Sequence, residues 1–442
     1  MFLAQEIKRH NKKAKIVFGG FLCSDELGAD IIANYEFVDY VVQGEGEKKI
    51  EKIIMSVYNR EEETLDSIHG ILTKTNINTT RVPEAKNTET NIDEYPNINY
   101  DDYYSQYTNK EMTVMIEGSR GCAHRCAFCN NKIASNGYRQ KSTKRLVEEV
   151  GEVVTKYNPS KIIFTDNTFN DRNIPEFVNE IKTQNVEIKS AFAELRVPIS
   201  FEELLLLHDI GVTEVQIGVE ALTQEILDLM RKGTRVIDNI AAMKHCEQMG
   251  IRYSANLITY YPNVTKQQIR ETEETIKKLY HLRPLNSSPY SCTYGSPLYR
   301  KAKADGLQIK ASHGHEYFPE NKTIRINDNV IKVLHCNEWR YIEMLLKHWA
   351  HKYQEGKRNG VNAKTFVSSK GTIQIYENGN MVRILEGAEA SIYTYCQSPR
   401  EHRHIIKEHK TVPNINKVLE KMVEEGDMYK QHNRYLSLAI AQ

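Results

Sequence analysis

TVMIEGSRGCAHRCAFCNN, residues 113–131, sets three cysteines, Cys122, Cys126 and Cys129, directly behind a short apolar run that reads as a β-strand. The spacing is C-x3-C-x2-C, a tight loop able to present three thiolates together. Structural zinc takes four protein ligands, usually as two separated pairs. His124 lies inside the motif as a possible fourth ligand, but ligands at 122, 124, 126 and 129 crowd badly around one tetrahedral ion. A cuboidal 4Fe-4S cluster has four irons. Three cysteines bind three of them and leave the fourth open to a non-protein ligand.

Outward from this loop the chain alternates strand and helix. Strand candidates recur as TVMIEG (113–118), KIIFTDN (161–167), EIKSAFAE (187–194), EVQIGVE (214–220), RYSANLITYY (252–261) and NSSPYSC (286–292). The segments between them have helical periodicity, and several end in Gly, as a helix C-cap does. Six strand–helix repeats predict a partial parallel (β/α)6 barrel of TIM type over residues 111–335, with polar groups at the strand C-terminal ends facing one mouth. Residues 1–57 read as helix, strand, helix, strand, a partial Rossmann-like α/β segment that either is a remnant or reflects a late start. Residues 58–110 read as a polar linker. Residues 336–442 predict a long helix, a hairpin turning at Glu377-Asn378-Gly379, short helices and a final strand pair, a small α+β winged-helix-like domain.

The 442 residues carry 59 basic and 58 acidic side chains, which gives no global reason to expect nucleic acid or an anionic membrane as partner. No apolar run reaches membrane-spanning length, and the N-terminus lacks the pattern of a signal peptide. Of the eight cysteines three are clustered and five scattered, which speaks for a cytoplasmic protein with metal-binding thiols rather than a disulfide scaffold.

The cysteine motif, with Phe128 just before its last cysteine, resembles the signature of the radical S-adenosylmethionine superfamily. The resemblance implies that S-adenosylmethionine chelates the fourth iron, receives one electron and yields a 5′-deoxyadenosyl radical. KIVFGG, VDYVVQGEGE, IGVEALTQEILDLMRKG, YGSPLY and RYLSLAI, in that order, are similar to the cobalamin-domain-bearing members that mature ribosomally made peptides. That implies C-methylation with cobalamin as methyl carrier, a precursor peptide as substrate, and a reducing flavodoxin- or ferredoxin-type electron donor. The C-terminal domain is then a candidate leader-peptide site by strand addition, or a lid on the barrel. The short N-terminal segment, with Gly19-Gly20 as the vestige of a tail-binding turn and no Asp-x-His-x-x-Gly ligand motif, predicts weakened or absent cobalamin binding. Cobalamin-independent epimerisation or crosslinking, and a degenerate cluster-containing peptide-binding protein, are the alternatives.

Further site residues lie at the strand ends. Where relatives place a Gly-Gly-Glu stretch for the methionyl amino group, this chain has Thr165-Asp166-Asn167; Asp166 and Asn167 could accept from an ammonium or simply cap the next helix. Glu194 and Arg196, two apart, share one barrel face, either toward the cofactor or as an internal salt bridge. Gln216 and Glu220 are candidates for the ribose, with Gly218 permitting close approach of the cofactor. Tyr260-Tyr261-Pro262-Asn263-Val264 replaces the family's Gly-Phe-Pro-Gly-Glu turn, and rim or core packing is expected of its tyrosines. Cys292 reads as a hydrogen-atom donor or a buried structural thiol.

Overall fold

A computed structural model describes residues 1–78, 91–106, 111–131, 137–292, 295–305, 335–358 and 364–442. They divide into two compact units. One comprises Met1–Glu94, Ser119–Gln140 and Ser291–Lys332; the other Tyr95–Gly118, Lys141–Tyr290 and Val333–Gln442. The cysteine loop therefore groups with the N-terminal segment, and the C-terminal domain with the barrel, a division that crosses the linear boundaries read from the sequence.

In the first unit, α1 (Phe2–His10), β1 (Val17–Phe18), α2 (Asp25–Asn34) and β2 (Tyr40–Val42) follow one another as the sequence predicts, and a further helix, α3 (Glu47–Asn59), follows where only a turn was expected. β1 and β2 pair in parallel. A third strand, β3 (Ile71–Leu72), lies inside the stretch read as linker and pairs antiparallel with β2. Tyr40, Val42, Ile53, Leu65 and Ile71 bury one another beneath this small sheet.

The second unit is built on a six-stranded parallel sheet whose strands run in strict sequence order: β4 (Thr113–Ile116), β5 (Lys161–Phe164), β6 (Ala191–Leu195), β7 (Val212–Glu220), β8 (Arg252–Thr259) and β9 (Asn286–Pro289). Sequential parallel order with a helix at each crossover is that of an open (β/α) barrel. The helices are α4 (Thr143–Tyr157), α5 (Ile174–Thr183), α6 (Phe201–Asp209), α7 (Val236–Met249) and α8 (Lys266–Lys277). Local chemistry starts and stops them. Ser200 with Glu203, and Thr265 with Gln268, form capping boxes, and α7 ends on Gly250 at φ 72°. Along β7, Val215, Ile217 and Val219 are buried under the helices, while Gln216, Gly218 and Glu220 are half-buried on the inner face. The free edge of β4 is protected by Tyr100, whose phenol bonds both the N–H and the C=O of Met115.

α9 (Cys336–Arg358) buries Trp339, Ile342, Leu345, Leu346 and Trp349 along one stripe. Then come β10 (Lys364–Ser369), β11 (Thr372–Glu377), β12 (Asn380–Leu385), α10 (Gly387–Tyr395), β13 (Arg400–Glu401), α11 (His402–Glu408), α12 (Ile415–Glu424), β14 (Met428–Gln431), β15 (Arg434–Ser437) and β16 (Ile440–Ala441). The run α10–β13–α11–α12–β14–β15, with sheet order β13-β15-β14, is winged-helix topology. This module is fused to barrel helix α7. Lys244, fully buried, donates to Gln397 O (3.1 Å), Gln397 Oε1 (2.7 Å) and Ser437 O (2.8 Å). His281 Nε2 lies 3.0 Å from Leu438 O, Arg434 pairs with Asp238 at 2.8 Å, and Trp349 Nε1 donates to Leu282 O at 2.8 Å.

Candidate active site

Ser119 and Arg120 pair antiparallel with Gln140 and Arg139, which closes the cysteine loop at its base. Gly121, at φ 80°, makes the turn into the loop that an L side chain would strain. None of the three cysteines forms a disulfide; Cys126 is buried, Cys122 and Cys129 half-buried. Cys129 N–H donates to Cys126 O at 3.3 Å, and Asn131 N–H reaches Cys129 Sγ at 3.4 Å. An amide aimed at sulfur stabilises thiolate over thiol, as a cluster ligand requires. Leu298 N–H holds the loop at Ala127 O, at 3.1 Å. Phe128 and His124 are half-buried on the same loop. Among the described residues, no group of three or more His, Cys, Asp or Glu is placed to hold a single metal ion. Three cysteines outside any disulfide on one loop, one of them receiving an amide at its sulfur, fit a cluster that takes one thiolate per iron.

The strand-end residues belong to the second unit. Asp166 is not open to a ligand ammonium. Its carboxylate is fully buried, with Oδ2 accepting from Gly118 N–H (3.0 Å) and Oδ1 from the Arg172 guanidinium (2.5 Å). Arg172 is in turn held by Phe169 O at 3.1 Å and stacks 4.4 Å over the Phe169 ring. A Cβ on Gly118 would sit 2.5 Å from that guanidinium and 2.9 Å from the Asp166 carboxylate, so a side chain there would push the ion pair aside. Asp166 thus ties the exit of β4, from which the cysteine loop departs, to the exit of β5. Capping is not its role either: Asn173 caps α5, accepting from Glu176 N–H at 3.2 Å. Asn167 remains exposed.

Glu194 on β6 stands in register with Gln216 on β7, and Glu220 ends β7 at φ 62°, with the turn fixed by Asn239 donating to Val219 O and Ala221 O. The Lys232 ammonium lies 3.1 Å from Glu220 Oε1 and is buried. Burial raises the Glu194 carboxyl above its usual range, the charge of Glu220 adds to this, and Lys232 opposes it. Gly218 makes room for the Lys232 side chain: a Cβ there would lie 2.7 Å from Lys232 Nζ. Arg196 is fixed through its main chain, its N–H donating to Asn170 Oδ1 and its C=O accepting from Asn170 Nδ2, both at 2.8 Å. Tyr260 packs at the rim, 6.2 Å from the Trp339 ring, with its hydroxyl 3.0 Å from Glu343 Oε2. Tyr261 is buried edge-on to Tyr290. Cys292 is a buried thiol of the first unit.

A family model described as the Radical SAM superfamily matches residues 116–276, from the last residue of β4 through α8. The chain carries a radical SAM domain. A 4Fe-4S cluster and S-adenosylmethionine are the cofactors of that domain, with Cys122, Cys126 and Cys129 as the residues that would hold the cluster. Among curated proteins, the chain is 28% identical over 55% of its length to 53% of an uncharacterized methyltransferase of Pyrococcus horikoshii. It is 24% identical over 62% of its length to 46% of the anaerobic magnesium-protoporphyrin IX monomethyl ester cyclase of Cereibacter sphaeroides. The chain thus spans about half the length of the curated relatives it matches. Among solved structures it resembles TsrM of Kitasatospora setae, a radical S-adenosylmethionine methyltransferase (TM-score 0.59, 18% identity, 79% of this chain and 73% of that one). It also resembles OxsB, a cobalamin-dependent S-adenosylmethionine radical enzyme (TM-score 0.57, 14% identity, 98% of this chain and 71% of that one).

Sequence reasoning missed two residues of the radical SAM domain. Lys232, in MRKG, reads as a basic residue near a helix end; only the fold brings it under Gly218 and beside Glu220. Arg172, six residues past Asp166, has no periodic signal, yet it commits that carboxylate.

Proposed function

We propose that this chain is a cobalamin-dependent radical S-adenosylmethionine C-methyltransferase acting on a ribosomally made peptide. The observation that carries methyl transfer is the fold likeness to TsrM and OxsB, which in the latter extends over the N-terminal α/β segment as well as the barrel. When bound, the cluster and S-adenosylmethionine supply one-electron reductive cleavage, and cobalamin supplies a methyl carrier. The chain's own residues do the rest. The Asp166–Arg172 pair fixes Gly118, the point of departure of the cysteine loop. Glu194, Gln216 and Glu220 offer acceptors to hydroxyl or ammonium groups on the inner face of the barrel, and Lys232 offers a cation. In the N-terminal segment Gly20, at φ 86° and with no atom within 4 Å of where a Cβ would lie, leaves bare backbone at the turn between β1 and α2. A nucleotide tail could approach such backbone closely. The likeness to OxsB over the N-terminal segment reverses the expectation of weakened cobalamin binding drawn from its short length: gel filtration after reconstitution with hydroxocobalamin is expected to show a stoichiometric corrin band on the protein, and turnover is expected to yield S-adenosylhomocysteine. Protein free of corrin would remove methyl transfer and leave epimerisation or crosslinking.

The peptide part of the reading is supported by the four-stranded sheet of the C-terminal region. Its edge strand, β12, exposes Met381, Val382 and Ile384. Deleting this region is a poor test, because Lys244 would lose its buried acceptors. Ile384→Lys is expected to slow turnover of a peptide substrate several-fold while substrate-free 5′-deoxyadenosine formation stays unchanged; equal turnover by both proteins would exclude β12 as the docking edge.

A further inference from the structure

The QGEGE stretch at 43–47 is the turn that leads from β2 into α3. In the first unit it does something specific. Glu45 accepts from both arginines at the base of the cysteine loop: Arg120 NH1 lies 3.2 Å from Oε2, and Arg139 grips Oε2 (3.2 Å, from NH1) and Oε1 (from NH2) with both arms of its fork. Arg120 also reaches Glu47 Oε1 at 2.5 Å. The Glu45, Arg120 and Arg139 side chains are each 15% exposed or less. The glutamate does not wave at the surface. Lys49 Nζ donates to Gln43 O (2.8 Å) and Glu45 O (3.0 Å), and Gln43 N–H donates to Gly70 O (2.8 Å), so both ends of the stretch are pinned to α3 and to the approach to β3. Burial alone would raise the Glu45 carboxyl, but the bond and charge of Arg139, then of Arg120, hold it below the usual range.

We infer that Glu45 is a positioning residue for the iron–sulfur cluster, a carboxylate on the N-terminal segment that locks Arg120 and Arg139 together and so holds closed the loop carrying Cys122, Cys126 and Cys129. The physical argument is one of charge and register. Arg120 is two residues before Cys122, and Arg139 is its antiparallel partner. Two guanidiniums facing each other across a two-stranded base repel, and a two-residue ladder is too short to hold them. A shared, largely desolvated carboxylate turns that repulsion into a fork-to-fork clamp. Cluster assembly would then depend on the N-terminal segment even in steps that do not involve cobalamin. This inference rests on the cluster reading of the three cysteines.

The test compares wild type, Glu45→Gln, Glu45→Asp and Arg139→Lys, each reconstituted anaerobically with iron and sulfide and desalted, with Arg9→Ala in an exposed pair of α1 as control. Glu45→Gln is expected to hold several-fold less iron per chain and to lose what it holds to a chelator about tenfold faster, as loss of one partner of a buried charge cluster does. Glu45→Asp should recover part of the iron, and Arg9→Ala should match wild type. Arg139→Lys keeps the charge and loses the fork; it should fall between, and it decides the matter if Glu45→Gln does not fold. Full iron and an unchanged stripping rate in Glu45→Gln, or in Arg139→Lys where only that variant folds, would overturn the clamp. A wild type that takes up no iron would instead overturn the cluster itself.

Discussion

Cys126→Ala is expected to lose nearly all reductive cleavage of S-adenosylmethionine while remaining folded. Cys126 is the buried thiol of the three, its carbonyl receives Cys129 N–H, and the next residue's carbonyl receives Leu298 N–H. The loop is therefore held around this position by main-chain bonds that an alanine keeps. The substitution removes a sulfur and a small amount of buried surface, worth about 1 kcal/mol or less of stability. The chemical effect is far larger, because a cluster held by two thiolates has a second open iron and is readily lost. Iron per chain and 5′-deoxyadenosine under dithionite, measured on the same preparation, check this. Wild-type levels of cleavage in a variant with intact secondary structure would refute the assignment of Cys126.

The second large effect is on stability and acts between the barrel and the winged-helix module. Burial, then the charges of Lys364 and Lys244, push the His281 imidazole down to about 3, against its bond to Leu438 O. Burial and Lys244 push His245 down to about 4, against its bond to Gln397 O. Both folded values lie below the unfolded value of roughly 6.5. Between the two, the unfolded chain binds more protons than the folded one, so stability rises with pH. The stabilisation is fully present above about pH 6.5 and is lost as pH falls toward the folded values, by on the order of 2 to 3 kcal/mol for each histidine at pH 4.5. Denaturant melts followed by the fluorescence of Trp339 and Trp349, the two tryptophans and both buried in α9, should show a falling midpoint from pH 6.5 to 4.5. His281→Asn should flatten that fall. Parallel curves for the two proteins would contradict it.

The first five barrel strands were legible because each carries apolar residues and is followed by a helix with its own start or stop signal, as with SFEELLLLHDIG, whose Ser200 and Glu203 form the capping box. The cysteine loop was legible because three thiols in so short a span have few uses. What was not legible depends on contacts distant in sequence. β3 is two residues long and pairs without any alternation to announce it. Asp166 reads from the sequence as a ligand or capping carboxylate, and only the fold brings Arg172 and Gly118 onto it. Glu45 lies 94 residues from Arg139, and nothing in QGEGE points to the far side of a cysteine loop. The short helices and final strand pair of the C-terminal region could be read, but neither β13, two residues long, nor the fusion to α7 through Lys244 could, since a lysine in a helix ordinarily faces water.

The central claim is that the three cysteines hold a cluster that cleaves S-adenosylmethionine. The direct measurement is 5′-deoxyadenosine, quantified by chromatography after anaerobic reconstitution with iron and sulfide and addition of S-adenosylmethionine and dithionite. The wild-type chain is expected to form 5′-deoxyadenosine in a reaction that depends on both the cluster and the reductant. A chain that holds its full complement of iron and sulfide and yet forms none would contradict it, and would leave a cluster-containing binding protein in its place.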